Sequence, residues 1–316
     1  MEVSSIMIAH ALKLTVRKSR ELFLTRLSYR TQRYLFIYIT LGIPLLYFLS
    51  TRLLPILYAF NVSVREWDLL SPSKPYVGLA NFKTLFTDEI FLKSIANTFK
   101  FVVIGVPGQL IVGLFVALLL HNIKRLRGLF RTVYFIPYVT SIVAVSWVFR
   151  WILMRNGWLN EMLLNLGLEP QLFLQSPRQA LILITLTMIW QSTGFQMLIF
   201  MTGLEAIPRM YYEAAAIDGA SAWRKFRHIT LPLLNPVIVF SAVIGVISYL
   251  QSFGQVLSMT NGGPLNATTT MVLHIYNLAF QQFKMGSAAA ATVILFVVIL
   301  VLTLLQLKVL NKKVEY

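Results

Sequence analysis

The chain has 316 residues, 57% of them hydrophobic and only 13% charged, with a mean hydropathy of +0.70. That profile excludes an ordinary soluble domain and points to an integral membrane protein. The formal net charge of +16 suggests nucleic acid at first sight. The cations fall in short clusters between apolar runs, however, where anionic lipid and topology account for them and no nucleic acid is expected. With no cysteine, disulfides and thiolate metal sites are excluded, and His10, His121, His228 and His274 are too scattered for a metal site.

Residues 1–33 form a basic tail carrying Lys13, Arg17, Lys18, Arg20, Arg26, Arg30 and Arg33. Its basic run is too long and its first apolar stretch too short for a cleavable signal; a basic amphipathic helix on the inner leaflet and a purely topogenic tail both fit. A bilayer core needs about 20 apolar residues as helix. Six runs approach that length: 34–60, 98–120, 131–153, 180–204, 233–257 and 286–307. Pro44, Pro55, Pro107 and Pro137 interrupt some of them, as membrane helices allow when neighbours satisfy the freed backbone groups.

Six crossings put both termini on one side, and the cations decide which. Besides the tail, one face receives Lys124, Arg125, Arg127 and Arg131, then Arg209, Arg224, Lys225 and Arg227, then Lys308, Lys312 and Lys313. These are 18 of the 28 Lys and Arg, so the positive-inside rule makes that face cytoplasmic. The other face receives the loops 61–97 and 154–179 and a turn at 258–269. The chain thus reads as a tail (1–33), a first helix with its external loop (34–97), a core of helices (98–308) containing a polar loop (205–232), and a second tail (309–316).

The polar loop is the most informative segment. From Glu213 to Pro236 it reads EAAAIDGASAWRKFRHITLPLLNP. Ala214, Ala215 and Ala216 predict one helix, Asp218-Gly219 a turn, Ser221 an N-cap and Pro232 a stop. Gly219 permits positive φ where the chain reverses, and the alanines allow close approach to a partner surface. Such a unit suits docking; Glu213 also reads as a solvated acid near a helix N-terminus.

Polar residues inside otherwise apolar spans are candidate solute contacts. On the fourth span these are Gln191, Ser192, Phe195 and Gln196. On the fifth, Ser248, Ser252 and Gln255 fall at i, i+4 and i+7 of one predicted face, with Tyr249 alongside. Donors and acceptors would meet sugar hydroxyls, and Phe195 and Tyr249 would stack on sugar C–H faces. Helix packing through polar side chains is the blander alternative. Arg52, Arg131 and Arg150 lie close enough to span ends to snorkel, and no acid lies in the core, which disfavours an ion-coupled carrier and a cationic solute. Met259-Thr260-Asn261-Gly262-Gly263-Pro264 reads as an external turn. Asn266-Ala267-Thr268 matches a glycosylation sequon of a length that arises by chance. No G-x-x-x-x-G-K-[ST] occurs, so no phosphate loop for ATP is present in the chain.

The 213–236 segment resembles the signature of the binding-protein-dependent (MetI-like) permeases of ABC importers, with Glu213, Ala214, Ala215, Asp218, Gly219, Ala220, Phe226, Ile229, Leu231, Pro232 and Pro236 in register. YVGLANFKTLF from Tyr76, NTFKFVV from Asn97, LFRTVYFIPYV from Leu129, GLEAIP ending at Pro208 and MTNGGP from Met259 are similar to the carbohydrate permeases. They resemble the half typified by the larger maltose permease subunit and the A-type glycerol-phosphate permease subunit, without the extra N-terminal spans of the former.

The resemblance implies an all-α polytopic bundle of six transmembrane helices with a cytoplasmic coupling helix-turn-helix. It implies a non-catalytic subunit in the inner membrane of a bacterium or archaeon, importing a sugar, oligosaccharide or polyol. A second homologous permease would complete the path, two ABC ATPase subunits would bind ATP and Mg, and an extracytoplasmic binding protein would deliver the solute. Glu213, Ala214, Ala215, Asp218, Gly219 and Ala220 would couple to the ATPase. The eight polar and aromatic span residues would line the path, and Asn261, Gly262, Gly263 and Pro264 would touch the binding protein or serve only as a connector. Import of glycerol phosphate or another anion, and a secondary transporter acting without ATP, remain the alternatives; the latter would call for inverted repeats or charged mid-span residues.

Overall fold

The computed structural model describes residues 28–71, 73–123 and 125–310. Residues 1–27 of the basic tail, with both readings of it, Lys124 and the C-terminal cations Lys312 and Lys313 therefore lie outside the described residues, whereas Arg30 and Arg33 fall in the first helix. The chain divides into two units, Met1–Tyr58 and Ala59–Tyr316. In the first, the described residues are helical from Tyr29, with a π turn at Leu49–Leu53 immediately before Pro55. Proline lacks an N–H and crowds the carbonyl one turn back, and the wider turn accommodates both. The run continues as α1 (Tyr29–Ser63), long and apolar enough to cross a membrane.

In the second unit, α2 (Ala80–Thr87) leads into α3 (Glu89–His121), which Asp88 caps by accepting from the Ile90 N–H at 2.8 Å. α3 begins nine residues before the predicted span. Lys93 interrupts the apolar pattern there without ending the helix. A bent pair follows, α4 (Arg127–Val139) and α5 (Ile142–Ile152), then α6 (Trp158–Asn165) and α7 (Ala180–Ala206). After α8 (Arg209–Ile217), α9 (Ala222–Leu233) and α10 (Asn235–Leu250) form a second bent pair. The chain finishes with α11 (Gly254–Met259), α12 (Met271–Tyr276) and α13 (Met285–Leu310).

Two predicted spans are corrected. The stretch 131–153 is not one straight helix: the chain bends by 90° between Val139 and Ile142. Pro137 weakens the last turn of α4, and the Thr140 carbonyl freed at the bend accepts from Gln191 Nε2 at 3.3 Å. The stretch 233–257 is divided as well. Pro232 does not stop the preceding helix, because a π turn at Phe226–Thr230 carries the chain past it. The 64° bend comes at Leu234, where Pro236 opens α10 in the first-turn position that needs no N–H. α10 then ends at Leu250, short of the predicted limit.

Close contacts give the helix directions. A Cβ on Gly108 would meet Ile189, and one on Gly113 would meet Gln196, so α3 and α7 run parallel. Gly105 lies under Tyr249 and Gly245 against Gln109, so α10 runs antiparallel to α3. Gly194 sits against the Tyr134 carbonyl, and Glu205 pairs with Arg127, so α4 is antiparallel to α7. Such small residues allow helix backbones to approach where lipid supplies no hydrophobic drive. Buried apolar side chains form two clusters, one including Phe101, Ile184, Leu250 and Met271, the other Val116, Met197, Phe200 and Leu234.

Candidate functional site

Along α3 and α7, Gln109 and Ser192 lie between those two clusters, and beside them a cavity of about 130 Å³ opens. Its lining is Gln109, Tyr138, Ile142, Met188, Gln191, Ser192, Ser248, Tyr249 and Gln255. Five of the eight predicted path residues therefore meet in one place. Ser192 Oγ donates to Gln109 Oε1 at 3.3 Å, and Gln255 Nε2 donates to Gln191 Oε1 at 3.2 Å. Gln109 Nε2 and the Tyr249 hydroxyl are buried with no partner. Both are donors without a partner, in a wall that carries no charge.

The remaining three fall elsewhere. Phe195 does not line the cavity; its ring stacks on Tyr138, which does, at a centroid distance of 4.7 Å and an interplanar angle of 10°. Gln196 lies one turn deeper in the contact of α3 with α7, its Cβ against Gly113. Ser252 is corrected more sharply. The proposed face through Ser248, Ser252 and Gln255 does not exist as one helix, because the chain leaves helical geometry after Leu250 and resumes only at Gly254. Gln255 returns to the cavity from α11, whereas Ser252 is buried and its carbonyl accepts from Thr270 Oγ1 at 2.9 Å.

Sequence reading missed Gln109 and Tyr138. Both carried a signal of the kind used for Gln191: Gln109 follows Pro107-Gly108 in an apolar run, and Tyr138 follows Pro137 at the bend.

The segment after α7 forms a helix-turn-helix. α8 ends with Gly219 N–H bonded to the Ala216 carbonyl at 3.1 Å and Ala220 N–H to the Ala215 carbonyl at 2.9 Å, with Gly219 at φ +70°. That is a Schellman ending, which requires the left-handed residue glycine provides. Ser221 then caps α9, accepting from the Arg224 N–H at 3.4 Å. Glu213, Ala214, Asp218 and Gly219 are exposed, Ala215 and Ala220 half-buried, and Met210, Ile217 and Trp223 present large apolar surface beside them.

At the opposite end of α3, the 259–264 loop folds back on itself. Gly262 is buried and its carbonyl accepts from Thr268 N–H, while Thr268 Oγ1 donates to the Gly263 carbonyl at 2.9 Å. Lys93 and Asn97 of α3 hold the carbonyls of Leu265 and Asn266. Of the four predicted contact residues only Asn261 is fully exposed; Gly263 and Pro264 are half-buried, and Gly262 builds the loop instead of facing outward.

Comparison with known proteins agrees with this architecture. Residues 109–316 match the family described as binding-protein-dependent transport system inner membrane component. The lactose transport system permease protein LacF of Rhizobium radiobacter is 39% identical over 72% of this chain and 78% of its own length. The trehalose/maltose transport system permease protein MalF of Thermococcus litoralis is 34% identical over 90% of this chain and 96% of its own. A bacterial alginate ABC transporter, solved with an alginate pentasaccharide-bound periplasmic protein, superposes with a TM-score of 0.80 at 25% identity, covering 92% of this chain and all of the other. With the helix-turn-helix between α7 and α10 and the family match running through it, this chain belongs to the permease subunits of binding-protein-dependent ABC transporters.

Proposed function

We propose that the chain supplies half of the solute path of an ATP-driven importer for a neutral sugar or polyol. The observation that carries this reading is the uncharged cavity in which Gln109, Gln191, Ser192, Ser248, Tyr249 and Gln255 converge from α3, α7, α10 and α11. At about 130 Å³ it accommodates only part of a sugar. A second homologous permease would therefore provide the facing wall.

In this reading α1, α3, the α4–α5 pair, α7, the α9–α10 pair and α13 make six crossings with both termini cytoplasmic. The exposed surface around Glu213, Ala214 and Gly219 enters a groove on an ATPase subunit, where ATP and Mg are bound. Closure of two such subunits moves α8 and α9 as a rigid lever against the bundle. The external end, with Asn261 exposed, faces an extracytoplasmic binding protein. The lactose, trehalose/maltose and alginate carriers among the relatives support a carbohydrate cargo.

The decisive measurement is thermal unfolding of the cognate binding protein across a panel of sugars, polyols and phosphate esters, followed by uptake of the stabilising ligand into vesicles containing this chain. Stabilisation confined to neutral sugars or polyols, with ATP-dependent uptake, is expected. A response only to phosphate esters or other anions would overturn the neutral-solute reading.

A further inference from the structure

A second cavity, of about 520 Å³, lies at the end of the spans where α3 and α7 finish and α4 and α8 begin. Its polar lining is His121, Asn122, Arg127, Glu205, Arg209 and Tyr212. Arg127 and Arg131 each donate through Nη2 to the same Glu205 oxygen at 2.6 Å. The Nε groups of both arginines are buried without a partner. The Arg209 side chain makes no hydrogen bond or ion pair among the described residues. Two guanidiniums thus share one carboxylate, and a third, that of Arg209, lines the same cavity as Arg127 and Glu205 without a counter-charge of its own, an arrangement that an anion with several acceptor oxygens would complete.

Depth narrows the anion. His121 is the last residue of α3 and Glu205 lies in the last turn of α7, so the cavity sits where a bilayer changes from hydrocarbon to headgroups. Leu126, Leu129, Val133 and Ile136 run from it along one exposed face of α4, a surface on which an acyl chain can lie. We propose that this cavity binds a phosphate-bearing anion, the headgroup of an anionic phospholipid at this depth. Arg209, the first residue of α8, would connect its occupancy to the helix-turn-helix. This inference rests on the membrane placement of α3 and α7 and not on the identity of the solute.

The test uses the full chain, purified in detergent and depleted of lipid. Phosphatidylglycerol, phosphatidylcholine and inorganic phosphate are added separately, and bound lipid by native mass spectrometry and melting temperature are followed. Phosphatidylglycerol should be retained and raise the melting temperature more than phosphatidylcholine, and Arg209→Gln should weaken that binding by about tenfold through loss of one charge-assisted contact. Glu205→Gln, which releases two guanidiniums, should strengthen it. Protection by inorganic phosphate alone, lost in Arg209→Gln, would uphold the site and assign it a soluble anion. Equal effects of the two lipids, unchanged binding in Arg209→Gln, or equal losses in Arg209→Gln and Glu205→Gln would overturn the proposal.

Discussion

Gln255 donates through Nε2 to Gln191 Oε1 at 3.2 Å, joining the short helix beyond the break in α10 to the middle of α7. The same Gln191 holds the Thr140 carbonyl at the bend between α4 and α5, so one side chain ties together both interruptions that shape the cavity. Gln191→Ala should therefore lower solute uptake several-fold or more. Losing a hydrogen bond to a desolvated hydroxyl costs about 1–3 kcal/mol. Binding-protein-stimulated ATP hydrolysis should persist, because α8 and α9 lie at another level of the bundle. Lost uptake accompanied by failed assembly or lost ATPase stimulation would mean that the glutamine is packing glue.

Tyr249 allows a cleaner separation of packing from solute contact. Its ring covers Gly105 and is almost fully buried, so Tyr249→Ala would leave a large void, whereas its hydroxyl has no partner in the protein. Tyr249→Phe should keep the melting temperature of the purified chain at or slightly above wild type and still reduce uptake. A variant that transports at the wild-type rate would remove the hydroxyl from the solute path.

Contact between α4 and α7 depends on Gly194, where a Cβ would lie 2.0 Å from the Tyr134 carbonyl oxygen. The obstacle is backbone and cannot rotate aside, so Gly194→Ala must separate the helices, and overpacking of this kind costs about 1–3 kcal/mol or more. Size-exclusion profiles in detergent should show loss of monodisperse protein. Gly128→Ala, where the added carbon meets nothing within 4 Å, should behave like wild type. Equal behaviour of the two variants would contradict this packing of α4 on α7.

The sequence made some features legible and hid others for definite physical reasons. The helix-turn-helix was readable because Gly219 and Ser221 act through local backbone geometry that does not depend on the rest of the fold. The cavity was half readable: Gln191 and Tyr249 stood out as polar groups in apolar runs. A helical period was extended through Leu250 to Gly254, however, where the chain breaks, and this put Ser252 on the wrong surface. The bend at Thr140 was hidden because its satisfaction comes from Gln191, 51 residues away. Lys93 helped conceal the first turns of α3 because hydropathy counts charge, whereas the helix needs only its backbone bonds and the cap at Asp88.

Gly219 supplies a test of the coupling segment that bypasses packing. With φ at +70° and nothing of this chain within 4 Å of a Cβ, replacement affects the chain's own fold through the backbone alone. Gly219→Val should disfavour the Schellman ending by about 1–2 kcal/mol and redirect α9, while Gly219→Asn, which tolerates the left-handed region, should be milder. The valine variant should insert in the membrane but lose ATPase co-purification or uncouple hydrolysis from uptake, with the asparagine variant between it and wild type. Undiminished transport and ATPase retention in Gly219→Val would sink the docking role.

The parallel course of α3 and α7 makes the proposed topology testable in cells. In the proposed six-crossing reading, the two helices run in the same direction and the bent pair α4–α5 returns the chain across the bilayer between them. The loop at Leu265 to Asn266 is held by Lys93 and Asn97 near the start of α3, while Arg127 pairs with Glu205 near the end of α7. These two sets of contacts mark opposite faces. A reporter that fluoresces only in the cytoplasm should therefore be bright when fused after Arg127, Arg227 or Lys313 and dark after Lys74 or Asn165. A bright fusion after Asn165 would place the start of α7 on the cytoplasmic side and contradict α3 and α7 as parallel spans joined by a crossing α4–α5. The six-crossing reading and the cytoplasmic placement of both termini would then fall together.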